Sequence, residues 1–167
     1  LKNGIDSTNL KLDAKEVTEI VNIYFQKIQQ EKRKQQREEA VKVAEEKFAD
    51  VKEEGEKFLA KNKLKPGVVT TERGLQYIVL KQGKGEKPLK TSTVKVHYHG
   101  TLIDGTVFDS SVDKGAPAEF VVNRVIRGWT EGLQLMPIGS KYRFFIPQVL
   151  GYGATPRQGG AIRPFDT

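Results

Sequence analysis

A change of hydrophobic period at Lys65-Pro66-Gly67 limits this chain more than any other feature. Upstream, proline is absent and apolar residues recur at helical spacing; all seven prolines lie from Pro66 onward, where apolar residues alternate with a period of two. A side chain that must face a core every 3.6 residues builds a helix, and one that must do so every second residue builds a strand. The chain therefore reads as α+β. A long-helix arm over residues 1–66 is followed by an antiparallel β-sheet wrapped around one short helix over 67–167.

In the first region, Asp13 with Glu16 three residues later reads as a capping box. Val17, Ile20, Val21, Tyr24, Phe25 and Ile28 then form an amphipathic stripe. No apolar residue occurs over 29–39, and a break or bend is expected there. The pattern resumes as Val41, Ala44, Phe48, Val51, Gly55 and Phe58, a 3-4 seam weakened by its Ala and Gly. A lone helix cannot shield Tyr24, Phe25 and Ile28 from water. Ile5, Leu10 and Leu12 are a small local supply of cover. Self-association into a homodimer through residues 1–66 is the expectation; the competing reading packs the helix back onto its own C-terminal domain.

In the second region, 75–80, 94–99 and 141–146 read as strands, the last stopped by Pro147, with shorter candidates at 106–108 and 119–122. Asp104-Gly105 is a hairpin signal between 101–103 and 107–108. Residues 128–136 form the one helical stretch, with Trp129, Leu133 and Met136 on one face.

Several functions drop out. No apolar run approaches the ~18 residues of a membrane-spanning helix, so no transmembrane segment is expected. Leu1 is not an initiator Met and no basic-plus-apolar leader is present, so any targeting segment is expected to have been removed. Residues 1–66 carry 15 Lys/Arg against 13 Asp/Glu and residues 67–167 carry 13 against 8, without a basic cluster, so no nucleic-acid partner is expected. With no cysteine, thiolate sites are excluded, and His97 and His99 lack a nearby third ligand; no metal and no cofactor is expected. Gly83-Lys84-Gly85 is a turn, since no helix start follows it to cradle a phosphate. Nucleophile elbows and Walker loops are missing. What stands out is a crowd of aromatics, among them Tyr98, Phe108, Phe120, Trp129, Tyr142, Phe144, Phe145, Tyr152 and Phe165.

Four segments carry a resemblance: V-H-Y-H-G at 96–100, D-G-T-V-F-D-S-S at 104–111, V-I-R-G-W-T-E-G-L at 125–133 and G-Y-G-A at 151–154. In this order and spacing they resemble the FKBP-type peptidyl-prolyl cis-trans isomerases over residues 68–167. The region before them, with E-G-E-K-F-L-A-K-N-K at 54–63, resembles the dimerisation arm of the Mip/FkpA subgroup, bacterial envelope isomerases and chaperones. The resemblance implies a prolyl pocket built from Tyr98, Phe108, Asp109, Phe120, Val125, Ile126, Trp129 and Tyr152, with the indole as its floor. Ile162 falls in the loop overhanging it. The Ile126 N–H and the Tyr152 hydroxyl are expected to donate to bound carbonyls, and Tyr98, Asp109 and Tyr152 to carry the catalysis. Asp109 has two readings, orienting Tyr98 or capping the Ser110-Ser111 turn.

Proline-containing unfolded or exported proteins are the implied partners, macrolide inhibitors are possible ligands, and the bacterial periplasm or cell envelope is the implied location. A dimeric holdase chaperone is the alternative. Three positions depart from well-known members: Ala118 where many have an aromatic, Lys114 where some have Arg, and Arg163 in place of the first Pro of an I-P-P turn. In the family the Thr matching Thr167 leads into a final apolar strand, so the natural chain is expected to continue.

Overall fold

A computed structural model describes residues 13–157 and 159–167, apart from the side chains of Ala14 and Glu16. Ile5, Leu10, Leu12 and the Glu16 half of the capping box therefore lie outside the described residues. The chain divides into two compact units between Ala40 and Val41. That division falls upstream of the change in sequence character at 65–67.

Helix α1 (Ala14–Lys47) starts where Asp13 Oδ1 accepts the Lys15 N–H at 3.3 Å, which satisfies one of the orphan donors of a helix start. In the first unit the apolar stripe is exposed, Tyr24 by 63% and Phe25 by 60%. The bend expected over 29–39 is absent, and helix continues through that stretch. Its Gln, Glu, Lys and Arg are good helix formers, Lys34 and Glu38 pair one turn apart at 3.9 Å, and nothing in it breaks the backbone ladder. The interruption lies at Phe48 (φ −128°, ψ 28°), after which helix α2 (Ala49–Asn62) resumes. It is a slight one: the Phe48 N–H still reaches Ala44 O at 2.9 Å and its carbonyl accepts from Lys52 at 3.1 Å.

The second unit begins with the 3-4 seam. Ala44, Val51 and Gly55 are buried, and α2 lies against its own downstream chain. Phe58 meets Phe145 at 5.9 Å between ring centres. The buried Asn62 amide donates to Gln76 Oε1 at 2.9 Å, and Gln76 donates onward to Leu59 O at 2.9 Å, so neither buried amide is left unpaired.

The described strands form three antiparallel sheets. β1 (Val69–Thr70), β2 (Gln76–Lys81) and β7 (Lys141–Phe145) make one; β3 (Thr93–Val96) pairs with β6 (Ala118–Val121), and β4 (His99–Thr101) with β5 (Val107–Ser110). The strand expected over 94–99 is thus two strands with different partners. They are divided at His97-Tyr98, where the Tyr98 N–H and C=O turn to Ser111 Oγ (2.8 Å) and Ser111 N–H (3.0 Å). At the β4–β5 hairpin Gly105 has φ +88°, the Leu102 N–H meets Thr106 O at 2.9 Å, and Asp104 Oδ1 accepts the Thr106 N–H at 2.8 Å.

Helix α3 (Arg127–Leu135) follows a short 3-10 turn at Val122–Arg124. Its buried Gly128 and Gly132 let it lie close on β7 and the residue that follows it. A Cβ on either would fall 2.6–2.7 Å from Ile146 or the Phe144 ring. Leu75, Val122, Leu133 and Leu150 form the centre of the core. Among the described residues no helix is long and apolar enough to cross a membrane.

Candidate active site

Three rings from three elements meet at one place. Tyr98 sits at the crossing between ladders, Phe120 comes from β6 and Trp129 from α3. Ring centres are 5.1 Å apart for Tyr98–Trp129, 5.4 Å for Phe120–Trp129 and 5.8 Å for Tyr98–Phe120. Tyr98 and Phe120 stand at 86° and 82° to the indole, as walls stand to a floor, in the edge-to-face geometry that aromatic quadrupoles favour. All three are half-buried.

Phe108 and Tyr152 make a second pair, 6.4 Å apart at 81°. Phe108 reaches its position through an irregularity in β5. Gly100 opposes Asp109 and Thr101 opposes Val107, so Phe108 is an extra residue in the ladder, a bulge that re-aims its side chain. Gly100 is what leaves room, since a Cβ there would meet the Phe108 ring at 2.6 Å. Gly100 is a supporting residue that the V-H-Y-H-G segment contains without a role being assigned to it; a lone Gly inside a strand pattern is the signal for it.

Asp109 joins the two groups. The Tyr98 hydroxyl donates to its Oδ2 in a short hydrogen bond, and the Lys114 ammonium donates to Oδ1 at 2.6 Å. Burial first, and then the hydrogen bond and charge of Asp109, push the Tyr98 phenol up to about 12. The Lys114 ammonium first, and Tyr98 second, hold the Asp109 carboxyl below its usual range. Burial and then the Asp109 charge raise Tyr152 as well. At neutral pH both phenols keep their protons, and the Tyr98 proton is committed to Asp109. The Tyr152 hydroxyl, with no hydrogen-bond partner among the described residues, is the phenol free to donate outward.

Val125 and Ile126 lie between the 3-10 turn and α3. The Ile126 carbonyl accepts the Thr130 N–H at 2.9 Å, while its own N–H has no partner among the described residues. Thr130 Oγ1 holds this corner by donating to Val122 O at 2.8 Å. Ile162 is half-buried ahead of Arg163. Its segment is tied to the tyrosine loop where the Phe165 N–H meets Gly153 O at 2.9 Å. Tyr98, Phe120 and Trp129 thus form one ring cluster with Asp109 and Lys114 at its edge, Phe108 and Tyr152 form a second ring pair, and Ile162 stands on a separate segment. His97 and His99 turn to Ser111 (3.3 Å) and Ser110 (3.0 Å), the residues that anchor the loop after β5. Ala118 pairs with Val96 across the β3–β6 ladder and adds no ring to the site.

The sequence pattern of a family described as FKBP-type peptidyl-prolyl cis-trans isomerase matches residues 84–167. That of the domain amino-terminal to FKBP-type peptidyl-prolyl isomerase matches residues 1–79. The FKBP-type peptidyl-prolyl cis-trans isomerase FkpA of Aeromonas hydrophila is 64% identical over 99 residues, covering 59% of this chain and 37% of that protein. The FKBP-type 22 kDa peptidyl-prolyl cis-trans isomerase of Escherichia coli is 53% identical over 130 residues, covering 78% of this chain and 63% of that one. The crystal structure of FkpA from Escherichia coli is similar at a TM-score of 0.70 and 35% identity, covering 94% of this chain and 69% of that chain. The chain spans between 37% and 63% of the length of these two curated relatives.

Proposed function

The chain belongs to the FKBP-type peptidyl-prolyl cis-trans isomerase family, and from that premise we propose that it isomerises X-Pro bonds in unfolded or newly exported proteins. The observation that carries the reading is the Tyr98–Phe120–Trp129 ring set with the Asp109 hydrogen bond at its edge.

An X-Pro bond turns over in tens to hundreds of seconds because rotation breaks amide resonance, a barrier of ~18–20 kcal/mol. No covalent bond need form or break, so a nucleophile is not required. The planar amide is the more charge-separated form; an apolar box that strips water from it favours the twisted one and grips the pyrrolidine ring. The indole supplies the floor and the Tyr98 and Phe120 rings the walls. The Ile126 N–H and Tyr152 hydroxyl then hold carbonyls in the rotated geometry. This is differential binding of the transition state, at about 1.4 kcal/mol per factor of ten. Asp109 acts by fixing Tyr98 as a wall.

A protease-coupled assay on a proline tetrapeptide tests this. Catalysed turnover that Trp129→Ala reduces at least tenfold is expected, and turnover indifferent to Trp129 would refute the reading.

The exposed stripe Val17–Phe25 supports a homodimer formed through the arm. The same stripe supports holdase action on unfolded chains as a second reading, and loss of aggregation suppression with peptide turnover kept in a stripe variant such as Tyr24→Ser separates it from catalysis. The periplasm or cell envelope is the proposed location.

A further inference from the structure

The segment beside Tyr152 contains the one non-glycine residue with a left-handed backbone among the described residues. Phe165 has φ +66°, a conformation uncommon for a bulky side chain. It lies in the turn Arg163-Pro164-Phe165-Asp166, closed by the Asp166 N–H on Arg163 O at 3.3 Å. Proline at the second position and positive φ at the third are the pattern of a turn that ordinarily places Gly at the third. Something must hold Phe165 there.

Two features do. The Asp166 side chain, only 2% exposed, accepts the Arg163 backbone N–H at 2.6 Å and the Arg163 guanidinium at 3.0 and 3.4 Å. This two-point fork is one that Lys cannot reproduce. The Phe165 ring is buried, with the Lys52 ammonium of α2 5.4 Å from its centre. So held, the Phe165 N–H points to the carbonyl of Gly153, the residue after Tyr152. Strained backbone that its surroundings hold fixed clusters at functional sites, and here it abuts Tyr152, whose hydroxyl, unlike that of Tyr98, has no hydrogen-bond partner among the described residues.

We propose that Arg163 and Asp166 are positioning residues for Tyr152: their clamp holds the Phe165 turn, and the turn sets the Gly153 carbonyl and with it the reach of the Tyr152 hydroxyl toward a bound carbonyl. The proposal rests on the isomerase reading. Arg163 stands where the family pattern has a proline, so this chain holds the segment by a charged fork in place of a second ring.

The test is a double-mutant cycle in the full chain, with R163Q and D166N combined so that no charge is left buried alone. The pair is expected to lower kcat/KM on a proline tetrapeptide about tenfold, and to change it less than twofold in a Y152F background. An equal fall in both backgrounds, or no fall in either, would overturn the proposal. If the pair unfolds the chain, R163K, which keeps the charge and loses the fork, carries the same expectations. A second readout is independent of turnover. With tyrosine labelled at the ring Cζ, the Tyr152 line should move in the paired variant while the Tyr98 line stays. A stationary Tyr152 line, or both lines moving together, sinks the proposal even if the peptide is never turned over, a result that would count separately against the isomerase reading.

Discussion

Asp109 meets two donors of different kinds, and each leaves a measurable trace. Its hydrogen bond from Tyr98 and its contact with Lys114 favour the carboxylate, while the same bond favours the protonated phenol. A phenol raised from 10.0 to about 12 contributes stability that is fully present below pH 10 and is lost as pH rises toward 12. Absorbance titration should therefore show one tyrosine ionising late, and Tyr98→Phe should remove that late step. Asp109 runs the other way. Its contribution is present above the ordinary carboxylate range and fades as acid passes its lowered value, so wild type and Asp109→Asn should converge in melting temperature at low pH. Because Asp109 is partly exposed, Asp109→Ala should keep the fold while lowering kcat/KM roughly tenfold, about 1.4 kcal/mol. Unchanged turnover would assign it to the turn. The Lys114 contact was not read from the sequence, because its partner is set by how the loop after β5 folds back over five residues.

Among elements, close approach explains the glycines better than turn propensity does. Gly83-Lys84-Gly85 reads as a turn, yet in the fold it runs beside 137–140. Gly85 donates to Ile138 O at 3.2 Å, Ile138 donates to Glu86 O at 3.0 Å, and Gly83 donates to Ser140 Oγ at 2.9 Å. A Cβ on Gly83 would collide with the Ile138 and Pro137 carbonyls and the Ser140 N, all three being backbone atoms that cannot rotate away. Gly83→Ala should destabilise the protein by about 1–3 kcal/mol in urea unfolding. The strands at 75–80, 119–122 and 141–146 were readable to within a residue or two, since each is a short run rich in aromatic and β-branched residues. The division at His97-Tyr98 was not. Both halves alternate in the same way, and only the choice between β6 and β5 as partner separates them.

For the whole molecule, the two helical patterns of the arm meet different fates. The seam at 44–58 is buried within the second unit, whereas the stripe at 17–25 is exposed. Removing residues 1–40 should abolish the proposed dimer in sedimentation and leave the proposed peptide isomerisation and the melting temperature unchanged. Removing 1–66 takes away α2, with the Phe58–Phe145 contact and the Asn62–Gln76–Leu59 hydrogen bonds. It should cost about 2–5 kcal/mol in unfolding experiments, since buried amides lose partners and a core face is opened. A deletion at 40 that lowers the melting temperature as far as one at 66 would refute this division of labour.

Periodicity was enough to read helix before sheet, one short helix among strands, and a hairpin at Asp104-Gly105, because these depend on which face of a local element meets water. Four short segments in order were enough to place the chain among the prolyl isomerases. Local pattern could not say that the helix runs unbroken through 29–39, that its seam closes on the same chain, that Phe108 enters through a bulge opposite Gly100, or that Arg163 and Asp166 hold a left-handed Phe165. Each of those depends on a partner distant in sequence or on room left by a missing side chain, and such partners exist only once the chain has packed.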